Sequence, residues 1–316
     1  MEQKKGTQWV PKKQEDPGLL ARLSRPTGPV DVVLDTDTYN EIDDQFAVSY
    51  LICSAEKLHL QAIYAAPFFN EKSTGPADGM EKSYQEILHL LSLTGDKVPA
   101  YRGSTRYLPD EQTPVSSQAA EELVRLAMEH TPEAPLYVAA IGAITNVASA
   151  LLMEPGIADR MVVVWLGGHA LDWPDNREFN AQQDVAADRV VFGSGVPLVI
   201  LPCQGVVSAF TTTGPELDYW LRGKNSLCDY LVKQTVDEVN TYAKGKVWSR
   251  VIWDVTTVAW IMNWEGKFMA DKLIPTPIPQ YDHHYSMDSR RPFCRYVYSI
   301  RRDPLFADLF SRLAKA

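Results

Sequence analysis

Five short apolar runs, residues 30–34, 60–65, 136–141, 161–165 and 198–201, alternate with helical periodicity at 43–53, 80–93, 118–130, 145–152 and 185–192. Each run is too short for a helix of its own and is apolar at consecutive positions rather than alternate ones. Such strands are buried on both faces, and the intervening helices are the right length to cover them. The pattern predicts an α/β fold with an open, mainly parallel, doubly wound (Rossmann-like) sheet. Ligands in such sheets sit in the crevice outside the carboxyl ends of the strands. In the last third, 217–242 and 254–264 read as helices, 275–291 as loop or edge strand, 294–300 as a strand and 304–314 as a closing helix. Residues 1–28, with Lys4, Lys5, Lys12, Lys13, Pro11, Pro17 and Pro26, read as a loosely ordered arm. No repeat or linker divides residues 29–316, which are expected to form one domain.

Composition narrows the function. A hydrophobic fraction of 45% supplies a large core, and a net charge of −9 lacks the basic footprint of a nucleic-acid binder. The four cysteines show no metal-site spacing; Cys53 and Cys203 sit in apolar contexts and are expected to be buried thiols. The first fifteen residues have no apolar centre, and no apolar run reaches membrane length. A cytoplasmic protein with no membrane or nucleic-acid partner is expected.

The chemistry concentrates after the first apolar run. Asp35, Asp37, Glu41, Asp43 and Asp44 place five carboxylates within ten residues, where the strand gives way to helical periodicity. Their mutual repulsion is relieved by a cation, by protonation or by surrounding donors. Oxygen ligands in this number suit Ca2+ or Mg2+ rather than zinc. Asp43 and Asp44 could simply complement a helix N-terminus, but that leaves Asp35 and Asp37 unexplained. Three weaker signals follow. Ile141-Gly142-Ala143-Ile144-Thr145-Asn146 is a strand end turning into a helix. Arg177-Glu178-Phe179-Asn180, behind Gly167-Gly168-His169, puts an acid and an amide where they could grip vicinal hydroxyls. Asp254, after Trp253, opens a helix, where an acid is usually a cap.

Together these motifs resemble the nucleoside hydrolase family of the inosine–uridine type: a strand followed by DxDxxxDD, a turn with TN, a GG turn with EFN, and a late Asp heading a helix. The resemblance implies an N-ribosyl hydrolase of nucleoside salvage and purine metabolism, acting on a small nucleoside as a homodimer or homotetramer. It implies a bound calcium ion (Ca2+) held by Asp37, Asp44, Asp254 and the main-chain carbonyl of Ile141. Asp37 would be the catalytic base on a water, while Asp43, Asn70, Asn176, Glu178 and Asn180 would hold the ribose, and Asp35 would support the loop.

Three departures from the family pattern stand out. Five residues separate Asp37 from Asp43, against three in the family, so Tyr39, Asn40 and Glu41 are brought to the edge of the site. Trp253 stands where many members have a histidine; a Trp there resembles the purine-preferring branch, in which an indole stacks on the base, and so implies a preference for purine nucleosides. Tyr107-Leu108-Pro109-Asp110-Glu111-Gln112 replaces a His- and Gly-rich loop. His169 and the pair His283-His284 read as surface or packing residues, with the late loop the source of any acid for the leaving base. Two alternatives stay open: a haloacid-dehalogenase-type, Mg2+-dependent phosphatase using Asp35 and Asp37, and a non-catalytic Ca2+-dependent nucleoside or sugar binder.

Overall fold

A computed structural model describes residues 16–316. The expected strands form with small shifts: β1 (Val30–Thr36), β2 (Leu58–Ala65), β4 (Leu136–Ala140), β5 (Met161–Leu166) and β6 (Leu198–Leu201). A three-residue strand, β3 (Ala100–Arg102), had no counterpart in the sequence pattern. The sheet runs β3-β2-β1-β4-β5-β6, continues into strand Phe293–Ile300 and ends at strand Met269–Pro275. Every neighbouring pair is parallel except the last.

Side-chain alternation along the central strands feeds two cores. Val32 and Leu34 of β1 join the cluster containing Phe46, Leu51 and Trp260; Val33 joins the one containing Val138, Trp165 and Phe192. β4, β5 and β6 are buried at every position, as strands covered on both faces must be. Strand order reverses between β1 and β4, so the crevice expected of a doubly wound sheet opens beyond their carboxyl ends. The acidic run leaves β1 at that point, and Ile141 leaves β4 beside it.

Two further expectations needed revision. The helix expected over 217–242 is two helices, Gly214–Trp220 and Ser226–Ala243, parted at Gly223 with φ +74°. Residues 275–291 contain a small hairpin, Ile278–Pro279 against Tyr285–Ser286, separate from the main sheet. Of the arm, residues 1–15 lie outside the described residues. The rest includes helix Pro17–Arg22, with Leu19 and Leu23 buried, and Arg25 paired with Asp271 at 2.7 Å. Among the described residues no helix is long and apolar enough to cross a membrane.

Candidate active site

Helix Asp43–Ile52 is buried along nearly its whole length and packs on helix Val255–Ile261. Both begin at the crevice, which brings Asp43 and Asp44 to Asp254: one carboxylate oxygen from each lies within 4.8 Å of the others. Asp254 occupies the N-cap position of its helix, yet its side chain makes no capping hydrogen bond. Capping therefore does not explain this acid, which is turned toward the other carboxylates. Thr36 Oγ1 donates to Asp44 Oδ1 at 2.6 Å, while Oδ2 of Asp37 is buried with no hydrogen-bond partner.

This crowding is costly. Burial, reinforced by Asp44, Glu41 and Asp43, raises the Asp37 carboxyl well above the usual range. Burial does the same to Asp43 against the pull of Arg250, and to Asp254 with help from Asp43, Asp44 and Asp37. Asp44 is pushed up to about 7, chiefly by burial, despite the hydrogen bond from Thr36. Protonation or a cation must offset the repulsion, and an all-oxygen donor set with an orphaned buried oxygen suits a hard divalent cation.

A cavity of about 310 Å³ lies over these acids. Its lining includes Asp37, Asp43, Asp44, Ile141, Glu178, Asn180, Trp253 and Asp254, so eight of the ten residues singled out in the sequence meet at one site. Glu178 is an N-cap, accepting from the backbone N–H of Asn180 and Ala181 at 3.0 Å each. It also accepts from Gly168 at 2.9 Å, which ties the GG turn to the EFN motif. That turn requires glycine: Gly168 has φ +73°, and a Cβ there would lie 2.1 Å from the Tyr285 hydroxyl. Burial raises the Glu178 carboxyl in spite of its three backbone donors. Asn180 gives both amide hydrogens to carbonyls, those of Ile141 and Leu166 at 3.1 Å each, and so keeps its oxygen for the cavity.

Asn70 and Asn176 stand one step behind the wall. Asn176 Oδ1 accepts from His169 N at 2.8 Å, and Asn70 Nδ2 donates to Asn40 Oδ1 at 2.6 Å. Asp35 is also behind it, fully buried and held by Asn146 Nδ2 at 2.7 Å; burial pushes its carboxyl up to about 7. This contact gives Asn146 of the TN turn a role as a support for the first strand's end.

Asn40 and Glu41 of the inserted corner line the cavity, as the longer loop implied, whereas Tyr39 is exposed and lies outside it. His169, Arg177, Cys203 and Gln204 line it too, although no site role was expected of them. Cys203 and Gln204 follow β6, and position beyond a strand's carboxyl end was the signal that could have found them. Cys203 is buried as expected, whereas Cys53 is half-buried. His169, not the late loop, supplies the cavity's histidine. Its Nδ1 accepts from Gln204 N at 3.4 Å, which leaves the hydrogen of the neutral ring on Nε2, and burial lowers its pKa. Arg250, half-buried behind the wall, reaches Glu41 at 2.5 Å and Asp43 at 3.3 Å.

The family model for inosine-uridine preferring nucleoside hydrolases matches residues 32–291. The chain belongs to this family. It is a glycosidic hydrolase of the nucleoside hydrolase type, and the phosphatase alternative falls away. The pyrimidine-specific ribonucleoside hydrolase RihA of Citrobacter koseri is 24% identical over 249 residues, covering 70% of this chain and 76% of its own length. Among solved structures, a plant nucleoside hydrolase, PpNRh1, is similar with a TM-score of 0.69 at 18% identity, over 91% of this chain and 100% of that one. A purine-preferring ribonucleoside hydrolase from Gardnerella vaginalis gives 0.68 at 17% identity, over 90% and 98%. These likenesses carry the nucleoside hydrolase fold.

Proposed function

We propose that this nucleoside hydrolase cleaves the N-ribosidic bond of ribonucleosides to ribose and free base, with Asp37 as the base on the attacking water. The observation that carries the reading is one cavity joining the Asp43–Asp44–Asp254 cluster to Asp37, Glu178 and Asn180. Asp37, Asp44, Asp254 and the carbonyl of Ile141 would hold Ca2+, which supplies charge to orient a water and two ribose hydroxyls and to lower the water's pKa.

The chain's own groups do the rest. Asp37, with its unshared Oδ2, takes the proton as water attacks the anomeric carbon and the carbon–nitrogen bond breaks. Positive charge grows on the sugar ring as the bond lengthens, and the surrounding carboxylates favour it. Asp43 and Glu178 accept from sugar hydroxyls, joined by the free oxygen of Asn180. The departing base takes its proton from solvent at a ring nitrogen as the bond breaks. Trp253 on the cavity wall offers a stacking face that raises the basicity of a purine more than that of a pyrimidine. The relatives' names divide on this point, pyrimidine-specific for RihA and purine-preferring for the Gardnerella enzyme. Trp253 is the reason for placing this chain with purines.

Release of reducing sugar from inosine, guanosine, adenosine, uridine and cytidine, with and without EDTA, tests the reading. Metal-dependent release with purines ahead is expected. No release from any of the five would defeat the hydrolase reading, and uridine cleaved as well as inosine would defeat the base preference alone.

A further inference from the structure

Of the residues that the longer acidic loop adds, Tyr39 is left on the surface, while Asn40 and Glu41 line the cavity. Asn40 is 7% exposed and lines the cavity. Its corner is fastened on both sides. The Asn40 backbone N–H donates to Asp37 O at 2.8 Å, and Lys72 Nζ donates to Asn40 O at 2.8 Å. On the other side Glu41 is paired with Arg250 at 2.5 Å.

The hydrogen-bond order fixes which way the Asn40 amide faces. The backbone N–H of Lys72 can only donate, and it does so to Asn70 Oδ1 at 2.9 Å. Asn70 therefore offers its NH2 group forward, to Asn40 Oδ1 at 2.6 Å. Asn40 in turn presents Nδ2, which has no hydrogen-bond partner among the described residues, yet is not sealed from the cavity. The neighbouring wall consists of acceptors: Asp37, Glu41, Asp43, Asp44 and Asp254. Asn180 has spent its donors on main-chain carbonyls.

A sugar hydroxyl held against carboxylates gives up its one hydrogen and keeps lone pairs that need a donor. We propose that Asn40 is a sugar-contacting residue whose Nδ2 donates to a ribose hydroxyl, and that Asn70 is a positioning residue acting through it. The inference rests on the ribonucleoside reading above and relocates the sugar-binding amide from Asn70 to the inserted corner.

A double-mutant cycle separates the two roles. Asn40→Ala should lower kcat/KM for inosine about 10- to 100-fold, mostly through KM, since the donor it removes meets a buried hydroxyl. D-ribose binding by calorimetry in CaCl2 should weaken in parallel. Asn70→Ala should cost less, and the double variant should be no worse than Asn40→Ala alone, because a residue acting through another adds nothing once that other is gone. The wild type's discrimination against 2′-deoxyinosine or 3′-deoxyinosine should shrink in Asn40→Ala for the hydroxyl concerned. Melting temperatures check folding, and Asn40→Ser serves if the alanine variant is unstable.

Additive losses in the cycle, wild-type KM in Asn40→Ala, or unchanged discrimination against both deoxy substrates would overturn the inference. A wild type that binds D-ribose but cleaves no nucleoside would fail the hydrolase reading alone. The ribose-binding cycle would then still decide the role of Asn40.

Discussion

Asp37 and Arg250 define the two electrical extremes of the site. Asp37 is buried among like charges with one oxygen unshared, so its negative charge is tolerated for what it does and not for stability. Asp37→Asn should lower turnover about 10²- to 10⁴-fold. It should leave the melting temperature in EDTA unchanged or raised, because a repelling charge is removed. Ribose release and differential scanning fluorimetry check both halves; a variant that turns over normally is not missing its base. Arg250 is the reverse case, a nearly buried cation (14% exposed) among Glu41, Asp43 and Glu238. Arg250→Met would leave three acids without their counter-charge and should destabilise the fold by about 3–5 kcal/mol in urea titration. Glu41 and Arg250 are 209 residues apart in the chain, so nothing local to either showed the pair. The acidic run was legible because a helix N-terminus accounts for Asp43 and Asp44 but leaves Asp35 and Asp37 with no ordinary reason to share a strand end.

Elements were legible where burial on both faces leaves a continuous apolar signature, as in Val-Val-Leu of β1 and Met-Val-Val-Val-Trp-Leu of β5. They were not legible where pairing, rather than side-chain pattern, makes the strand. β3 has three residues, all half-buried, and owes its existence to β2 beside it. Strand Met269–Pro275 interrupts its apolar residues with Asp271 and Lys272, and is fixed by antiparallel pairing with Phe293–Ile300. The helix break at Gly223 was hidden because glycine inside helical periodicity does not by itself announce a left-handed turn. Gly223→Ala should therefore destabilise by about 1 kcal/mol, since an alanine pays for positive φ. If 217–242 were one continuous helix, the same change would instead stabilise the protein in urea unfolding. The meeting of helices Asp43–Ile52 and Val255–Ile261 was likewise absent from the apolar pattern of either, and was implied only by the resemblance, which assigned Asp44 and Asp254 to one cation.

At the scale of the whole molecule, the buried acids make stability depend on pH with a definite sign. Asp35 and Asp44 titrate at about 7 in the folded chain against 3.8 for an ordinary carboxyl. Between those values the folded state holds protons that the unfolded state has released. Their contribution is thus full below about pH 4 and is lost as pH rises through 7. In EDTA the melting temperature should fall from pH 5 to pH 8 by calorimetry. Added CaCl2 should restore more at pH 8 than at pH 5, because carboxylates bind a cation only when deprotonated; a flat profile in EDTA would contradict the burial of these groups. The open sheet carries a separate risk, since its outermost strands could template other chains. Here one margin is the three-residue β3, and the other, Met269–Pro275, ends in proline and exposes Lys272. Neither margin offers a long, flat, uncharged edge, so the same sheet that assembles the acids is guarded against growing into fibres at high concentration.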